Sequence, residues 1–359
     1  MASALSYVFL GLSITSSWGN GHATTYRGLL RELAARGHDV TFLERNLPFY
    51  EANRDLPRPP YAKTHLYENL DDLFDRFSVE LRSADFVVIG SYVPDGIEVA
   101  ERVMALRRGP VAFYDIDTPV TLQGLRDGTT SYLSRDLIGR FDLYLSFTGG
   151  PVLRTLEREF GAKRARALYC GVDPEVHYPE ACSVEYELGY LGTYSRDRQQ
   201  LVDRLLLGVA RVRPSKRFIL AGAQYPKEVV FASNVDHFVH LPPSEHRAFY
   251  RSQRFTLNVT REAMRRMGYS PSVRLFEAAA CATPILSDTW PGIETFFTPG
   301  REIVLVKDTA DVLRAIDKTT EVERIAIGRR ARERVLREHT SAHRAETLEK
   351  LTREVLDSA

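Results

Sequence analysis

Arg274 and Glu277 lie three residues apart in the run Pro271-Ser272-Val273-Arg274-Leu275-Phe276-Glu277-Ala278-Ala279-Ala280. At helical spacing both side chains leave one face. Ser272 stands where an N-cap is needed after Pro271, and the alanines predict close packing of the helix. A carboxylate deep in such a helix is costly to bury unless it accepts hydrogen bonds, and a ribose 2′,3′-diol would donate two. An intrahelical Arg274–Glu277 ion pair is the competing explanation. Upstream, Gly192-Thr193-Tyr194-Ser195-Arg196-Asp197-Arg198 leaves an apolar run and enters a helix, with Ser195 as its predicted N-cap. Gly192 lets backbone approach a ligand, while Arg196 and Arg198 sit where a helix N-terminus already favours an anion. A diphosphate suits this corner; a solvated first turn with surface arginines is the alternative.

Near the N-terminus, Gly19-Asn20-Gly21-His22 leads into a helix expected to begin at about Ala23 or Thr24. Such a loop is a generic site for an anion or for close approach, and a His at a helix start can serve as a general base. A tight turn carrying a surface His accounts for the same residues. Glu44, at the end of the next apolar run, raises a dinucleotide fold in which an acidic side chain holds a ribose. Against that, the glycine loop lies seven residues past the strand, and Thr24 stands where helix–sheet packing prefers a smaller residue. Asp115-Ile116-Asp117-Thr118-Pro119 reads literally as a D-x-D pair. One pair of carboxylates is an incomplete metal site, so Asp115 and Asp117 are expected to cap the following turn or to serve an acceptor.

These residues need a frame. Short apolar runs at 7–12, 39–43, 86–90, 111–114, 142–147 and 166–170 alternate with segments of helical period, for example 24–36. A second series follows at 186–192, 217–222, 237–241, 254–260, 284–287 and 302–306, with a helix predicted over 197–212. Alternation of this kind implies parallel sheets, whose ligands bind beyond the carboxyl ends of the strands. The expectation is an α/β chain of two facing Rossmann-like domains, 1–172 on the acceptor side and 173–335 on the donor side. A helix at 336–359 is expected to cross back to the first domain. Ile325, Val335, Leu348, Leu351 and Val355 supply the apolar stripe of the closing helices.

A net charge of +1 without a basic block argues against nucleic acid as the main partner. The three cysteines, Cys170, Cys182 and Cys281, lack metal spacing and fit a reducing cytoplasm. The apolar opening is too short for a signal-peptide core, and no stretch approaches a membrane span.

The segment Arg274–Ile285 followed by Asp288-Thr289-Trp290-Pro291-Gly292 resembles the donor-site signature of family 4-like GT-B glycosyltransferases, especially the CgeB-like branch. Gly171-Val172-Asp173 with Tyr178-Pro179 resembles their interdomain segment, and Gly21-His22 with Arg36–Thr41 the start of GT-B enzymes generally. The resemblance implies a nucleoside-diphosphate sugar as donor, no cofactor, no metal and an unidentified acceptor, small or peptide-borne. Glu277 would bind the ribose. Ser272, Val273 and Arg274, with Gly192, Thr193 and Arg196 or Arg198, would hold the diphosphate, and Gly19 to Gly21 would face the sugar. Two departures stand out. Many relatives place a sugar-touching glutamate eight residues before the ribose-binding one, where this chain has Tyr269, and their usual glycine before Thr283 is Ala282. The donor half favours retention of anomeric configuration, whereas His22 falls where inverting enzymes of this fold keep their base. A sugar-nucleotide epimerase and a non-catalytic sugar-nucleotide-binding protein are the competing functions.

Overall fold

The computed structural model describes residues 3–19 and 21–358. The chain divides into two compact units, one formed by residues 1–170 with 341–359 and the other by 171–340.

The first unit carries a seven-stranded sheet of β1 (Ser6–Gly11), β2 (Asp39–Arg45), β3 (Lys63–Tyr67), β4 (Phe86–Gly90), β5 (Val111–Asp115), β6 (Leu143–Ser146) and β7 (Ala165–Ala167). Every pairing is parallel, in the order β3-β2-β1-β4-β5-β6-β7. All residues of β4, β5 and β6 are buried, as a parallel sheet covered on both faces requires. The order reverses between β1 and β4, which makes a switch point at their carboxyl ends. β3 was not expected from the sequence. Its first four residues alternate between exposed and partly covered and only Tyr67 is buried, because it is an edge strand.

The Gly21–Ala35 helix starts earlier than the sequence predicts, so Gly21 and His22 fall in its first turn. It packs against the Ser341–Leu356 helix so closely that a Cβ on Gly28 would lie 2.2 Å from Ser341 Oγ. Arg36 donates to Glu349 at 2.8 Å, and Arg344 to the Cys170 carbonyl at 3.0 Å.

The second unit holds a six-stranded parallel sheet of β8 (Tyr186–Leu191), β9 (Phe218–Ala221), β10 (Val235–Phe238), β11 (Gln253–Asn258), β12 (Ile285–Ser287) and β13 (Val304–Leu305). Its order, β10-β9-β8-β11-β12-β13, again reverses at the centre, between β8 and β11. The helix predicted over 197–212 runs as Arg196–Val202, a π turn at Asp203–Leu207, then Gly208–Val212. That wide turn lets Leu205, Leu206 and Leu207 all enter the core beside Phe218, Phe255 and Val312. The Glu321–Glu338 helix packs on Val273–Ala280, with Arg332 Nε donating to the Ala280 carbonyl at 3.1 Å. Ile325, expected in the apolar stripe, is 56% exposed on its outer face. No described helix is long and apolar enough to cross a membrane.

Candidate functional site

In the second unit, β8 and β11 end side by side, and the Val273–Ala280 helix begins over them. Ser272 occupies the N-cap position with extended backbone, yet its hydroxyl does not cap the helix. It donates instead to Asn258 Oδ1, at the end of β11, at 2.8 Å. Arg274 Nη1 donates to the same oxygen at 3.1 Å, and Arg274 Nε to the Leu191 carbonyl at the end of β8. The guanidinium lies 4.8 Å over the Tyr190 ring. Arg274 thereby ties the two central strand ends together through Nε and Nη1. The free backbone N–H groups of the helix start, Val273 among them, add the positive end of its dipole.

Gly192 follows β8, and close packing fixes its type. A Cβ there would lie 2.8 Å from Arg274 Nη2 and 2.6 Å from the Tyr190 hydroxyl. Its carbonyl accepts from the Tyr225 hydroxyl at 3.2 Å. The neighbouring β9 loop is tighter still, since a Cβ on Gly222 would sit 2.0 Å from the Gly192 carbonyl oxygen. A Gly222→Ala protein is therefore expected to unfold with a penalty of about 1–3 kcal/mol, the usual cost of overpacking, and to lose ligand affinity as the 192–194 backbone moves. Denaturant melts with and without a nucleoside diphosphate check both; unchanged stability and affinity would show that this approach is relaxed in solution.

Thr193 accepts the Arg198 guanidinium on its carbonyl, so Arg198 braces the loop. Arg196 is exposed on the first turn of its helix. Ser195 is at the N-cap, but its hydroxyl bonds Asp197 rather than a helix N–H.

Glu277 lies one turn deeper and points elsewhere. The Arg274–Glu277 ion pair weighed from the spacing does not form, because Arg274 reaches to the strand ends while Glu277 turns to other segments. The Glu277 carboxylate, 4% exposed, accepts from the Tyr250 hydroxyl at 2.9 Å. His246 Nδ1 stands 3.7 Å from one of its oxygens and His177 Nε2 3.8 Å from the other. Burial by itself raises the Glu277 pKa; His177, His246 and Tyr250 outweigh it and hold the carboxyl well below its usual range. His246 Nε2 is paired with the Leu241 carbonyl at 3.2 Å, while burial lowers the pKa of His177 and the charge of Glu277 opposes that shift. Among the described residues these three are the set whose ligand atoms, one from each residue, lie within 4.8 Å of one another as a metal ion would need. Sequence reading missed His177, His246, Tyr250 and Asn258, which come from three separate segments, His246 and Tyr250 sharing the Pro243–Arg251 helix. The Tyr178-Pro179 pair drew attention to the stretch holding His177 without marking the His itself.

In the first unit, the carboxylate of Glu44 accepts from Ser13 Oγ, Ile14 N, Thr15 N and Thr15 Oγ1 at 2.6–3.0 Å. All its acceptor sites fold the loop after β1, so no ribose can use it, and the dinucleotide reading fails. Asp115 is fully buried and accepts from Tyr144 Oη at 2.6 Å, Thr121 Oγ1 at 2.7 Å and Asp117 N at 3.2 Å. Burial raises its pKa to about 6 against those bonds. It is a turn-organising carboxylate. Asp117, half-buried, accepts from Tyr92 Oη at 3.0 Å. His22 has its pKa lowered by burial, opposed by the charge of Asp117, and its ring lies 5.4 Å from that of Tyr92. Gly19 is exposed at a φ of 60°, and Asn20 lies outside the described residues.

Comparison with known proteins assigns the fold. A sucrose-phosphate synthase from Thermosynechococcus elongatus superposes with a TM-score of 0.72 at 13% identity, over 99% of this chain and 100% of that one. HepE from Anabaena, solved with UDP and glucose, gives 0.71 at 12% identity, over 98% and 100%. An α-glucosyltransferase solved with UDP-glucose and DNA containing an abasic site gives 0.72 at 13% identity, over 98% and 100%. The fold is that of the GT-B glycosyltransferases. Residues 198–350 match a family profile described as "Glycosyl transferase-like". No curated protein matches the sequence.

Proposed function

We propose that the chain transfers a sugar from a nucleoside-diphosphate sugar to an acceptor hydroxyl, and that the donor binds on the second unit. The observation that carries this is the Arg274 bridge: a guanidinium fixed between the ends of β8 and β11, above a buried ionised carboxylate. The diphosphate would lie against Arg274, the helix start at Ser272 and Val273, and the Gly192–Thr193 backbone, with Arg196 and Arg198 as further counter-charge. Glu277 would take the ribose diol. Neighbours of the same fold hold UDP or UDP-glucose, which supports a uridine nucleotide as the first donor to test.

In the reaction the bond between the anomeric carbon and the diphosphate oxygen breaks, the acceptor oxygen bonds that carbon, and the acceptor loses its proton. Negative charge grows on the leaving diphosphate, where a preorganised guanidinium and helix start are worth most. No metal is assigned to this step. The CgeB-like placement rests on the 274–292 motif, which also favours retention. One observation favours the opposite outcome: His22 lies within the field of Asp117 and is held neutral by burial, as a base requires.

A panel of sugar nucleotides and nucleoside diphosphates read by thermal shift tests the donor site. A true donor at roughly 100 times its Kd adds about 2.7 kcal/mol and raises Tm. Millimolar nucleotides that leave Tm unmoved would sink the proposal. Donor hydrolysis or transfer followed by proton NMR then reads the configuration of the released sugar. A converted sugar nucleotide formed without acceptor would identify an epimerase instead.

A further inference from the structure

Asp288 follows β12 and is 3% exposed. Its Oδ1 accepts from Thr260 N at 3.1 Å and from Thr260 Oγ1 at 2.9 Å. Its Oδ2 is equally enclosed and has no hydrogen-bond partner. Two residues on, Trp290 is 2% exposed, and its Nε1 also lacks a partner. Native proteins leave few buried polar groups unmatched, because each forfeits its bonds to water. Here a vacant acceptor and a vacant donor fall in the same short loop.

That loop is joined to the proposed phosphate corner by continuous bonds. Asn258, which accepts from Ser272 and Arg274, donates through Nδ2 to Ser287 Oγ at 2.9 Å and to Thr260 Oγ1 at 3.2 Å. Thr260 in turn fixes Asp288. Arg265 and Arg274 are the cations that act on the Asp288 carboxylate. The loop is also held rigidly from its other side. Tyr269 N donates to the Pro291 carbonyl at 2.7 Å, and a Cβ on Gly292 would meet the Tyr269 ring at 2.4 Å. Tyr269 itself sits at a φ of 48°, left-handed backbone that a residue with a Cβ keeps only where its surroundings impose it, while Gly292 takes its φ of 87° without penalty.

We propose that Asp288 Oδ2 and Trp290 Nε1 receive the hydroxyl groups of the donor's sugar, one accepting and the other donating a hydrogen bond. A pyranose ring carries hydroxyls that do both at once, which suits a vacant acceptor and a vacant donor two residues apart in one loop. A hydrophobic moiety would leave both unmatched, and an anionic one would leave the Asp288 acceptor unmatched. The assignment rests on the donor-site reading above and adds to it the residues that distinguish a sugar nucleotide from the bare nucleotide.

Isothermal titration of UDP and UDP-glucose, or of the best pair found in the donor panel, tests it on the full chain. Asp288→Asn keeps the oxygen that Thr260 holds and converts the vacant acceptor into a donor. The expected result is a loss of about tenfold or more in sugar-nucleotide affinity, the scale of one hydrogen bond to a charged group, with UDP affinity within about twofold of the unsubstituted protein. Trp290→Phe, which keeps the ring and removes the N–H, is expected to weaken the sugar nucleotide alone as well, and it decides the matter if Asp288→Asn fails to fold. Equal losses for both ligands, or no loss for either, would overturn the assignment and leave the phosphate corner standing. An unsubstituted protein that binds neither ligand would overturn the donor-site reading, and the assignment with it.

Discussion

Glu277→Ala is expected to abolish the nucleotide-dependent rise in Tm. Hydrogen bonds to a charged group contribute about 1.5–3 kcal/mol each, so losing two from a ribose diol weakens nucleotide affinity on the order of 100-fold or more. Alanine would also strand the Tyr250 hydroxyl, which donates to this carboxylate, so part of the effect would appear as lower intrinsic stability. Glu277→Gln separates the two, because its amide oxygen still accepts from Tyr250 while its charge is gone. Nucleotide affinity unchanged in the glutamine variant would remove Glu277 from the ribose. The same variant has a signature in acid. The folded-state pKa of Glu277 is depressed, so the stability it contributes is complete above the ordinary glutamate range and fades as pH falls through the lower folded value. Glutamine should flatten that part of the stability profile, measured by denaturant melts from pH 7 downwards.

Arg274→Ala is expected to lower kcat by about 10²–10³, the scale seen when one preorganised donor to developing negative charge is removed. The loss should exceed that for Arg198, whose guanidinium is engaged with the Thr193 carbonyl. Arg274→Lys should recover little, because a lysine cannot reach Leu191 and Asn258 at once while lying over Tyr190. Steady-state turnover of the donor identified by thermal shift checks this. A kcat within about twofold of the unsubstituted enzyme would show that the leaving diphosphate is neutralised elsewhere.

The parallel architecture was legible because the central strands are buried on both faces and read as short uninterrupted apolar runs. β3 escaped notice for the complementary reason: Lys63, His65 and their neighbours belong to an edge, where the code is weak. The 197–212 helix was visible, but its π turn was not, since three successive leucines fit any helical face until the core is known. At the site, an acid inside an alanine-rich helix was conspicuous. Its partners were not, because His177 and the helix carrying His246 and Tyr250 reach it from separate segments of the chain, and spacing carries no record of convergence. The two serines at N-cap positions were placed correctly and given the wrong bonds. Ser272 and Ser195 donate their hydroxyls to side-chain oxygens, of Asn258 and of Asp197, and neither accepts from a helix N–H. Ala282 sits at a φ of 55°, a left-handed conformation that costs a residue with a Cβ about 1 kcal/mol of backbone strain.

The Ser341–Leu356 helix belongs to the first unit although residues 171–340 of the second precede it. During synthesis the ribosome must therefore release the entire second unit before the first can bury the face of its Gly21–Ala35 helix. Until then that face stays open on a nascent chain, where exposed apolar surface invites misassociation. The order of completion is the reverse of the order of translation, and damage to the last helix would be felt at the front of the molecule.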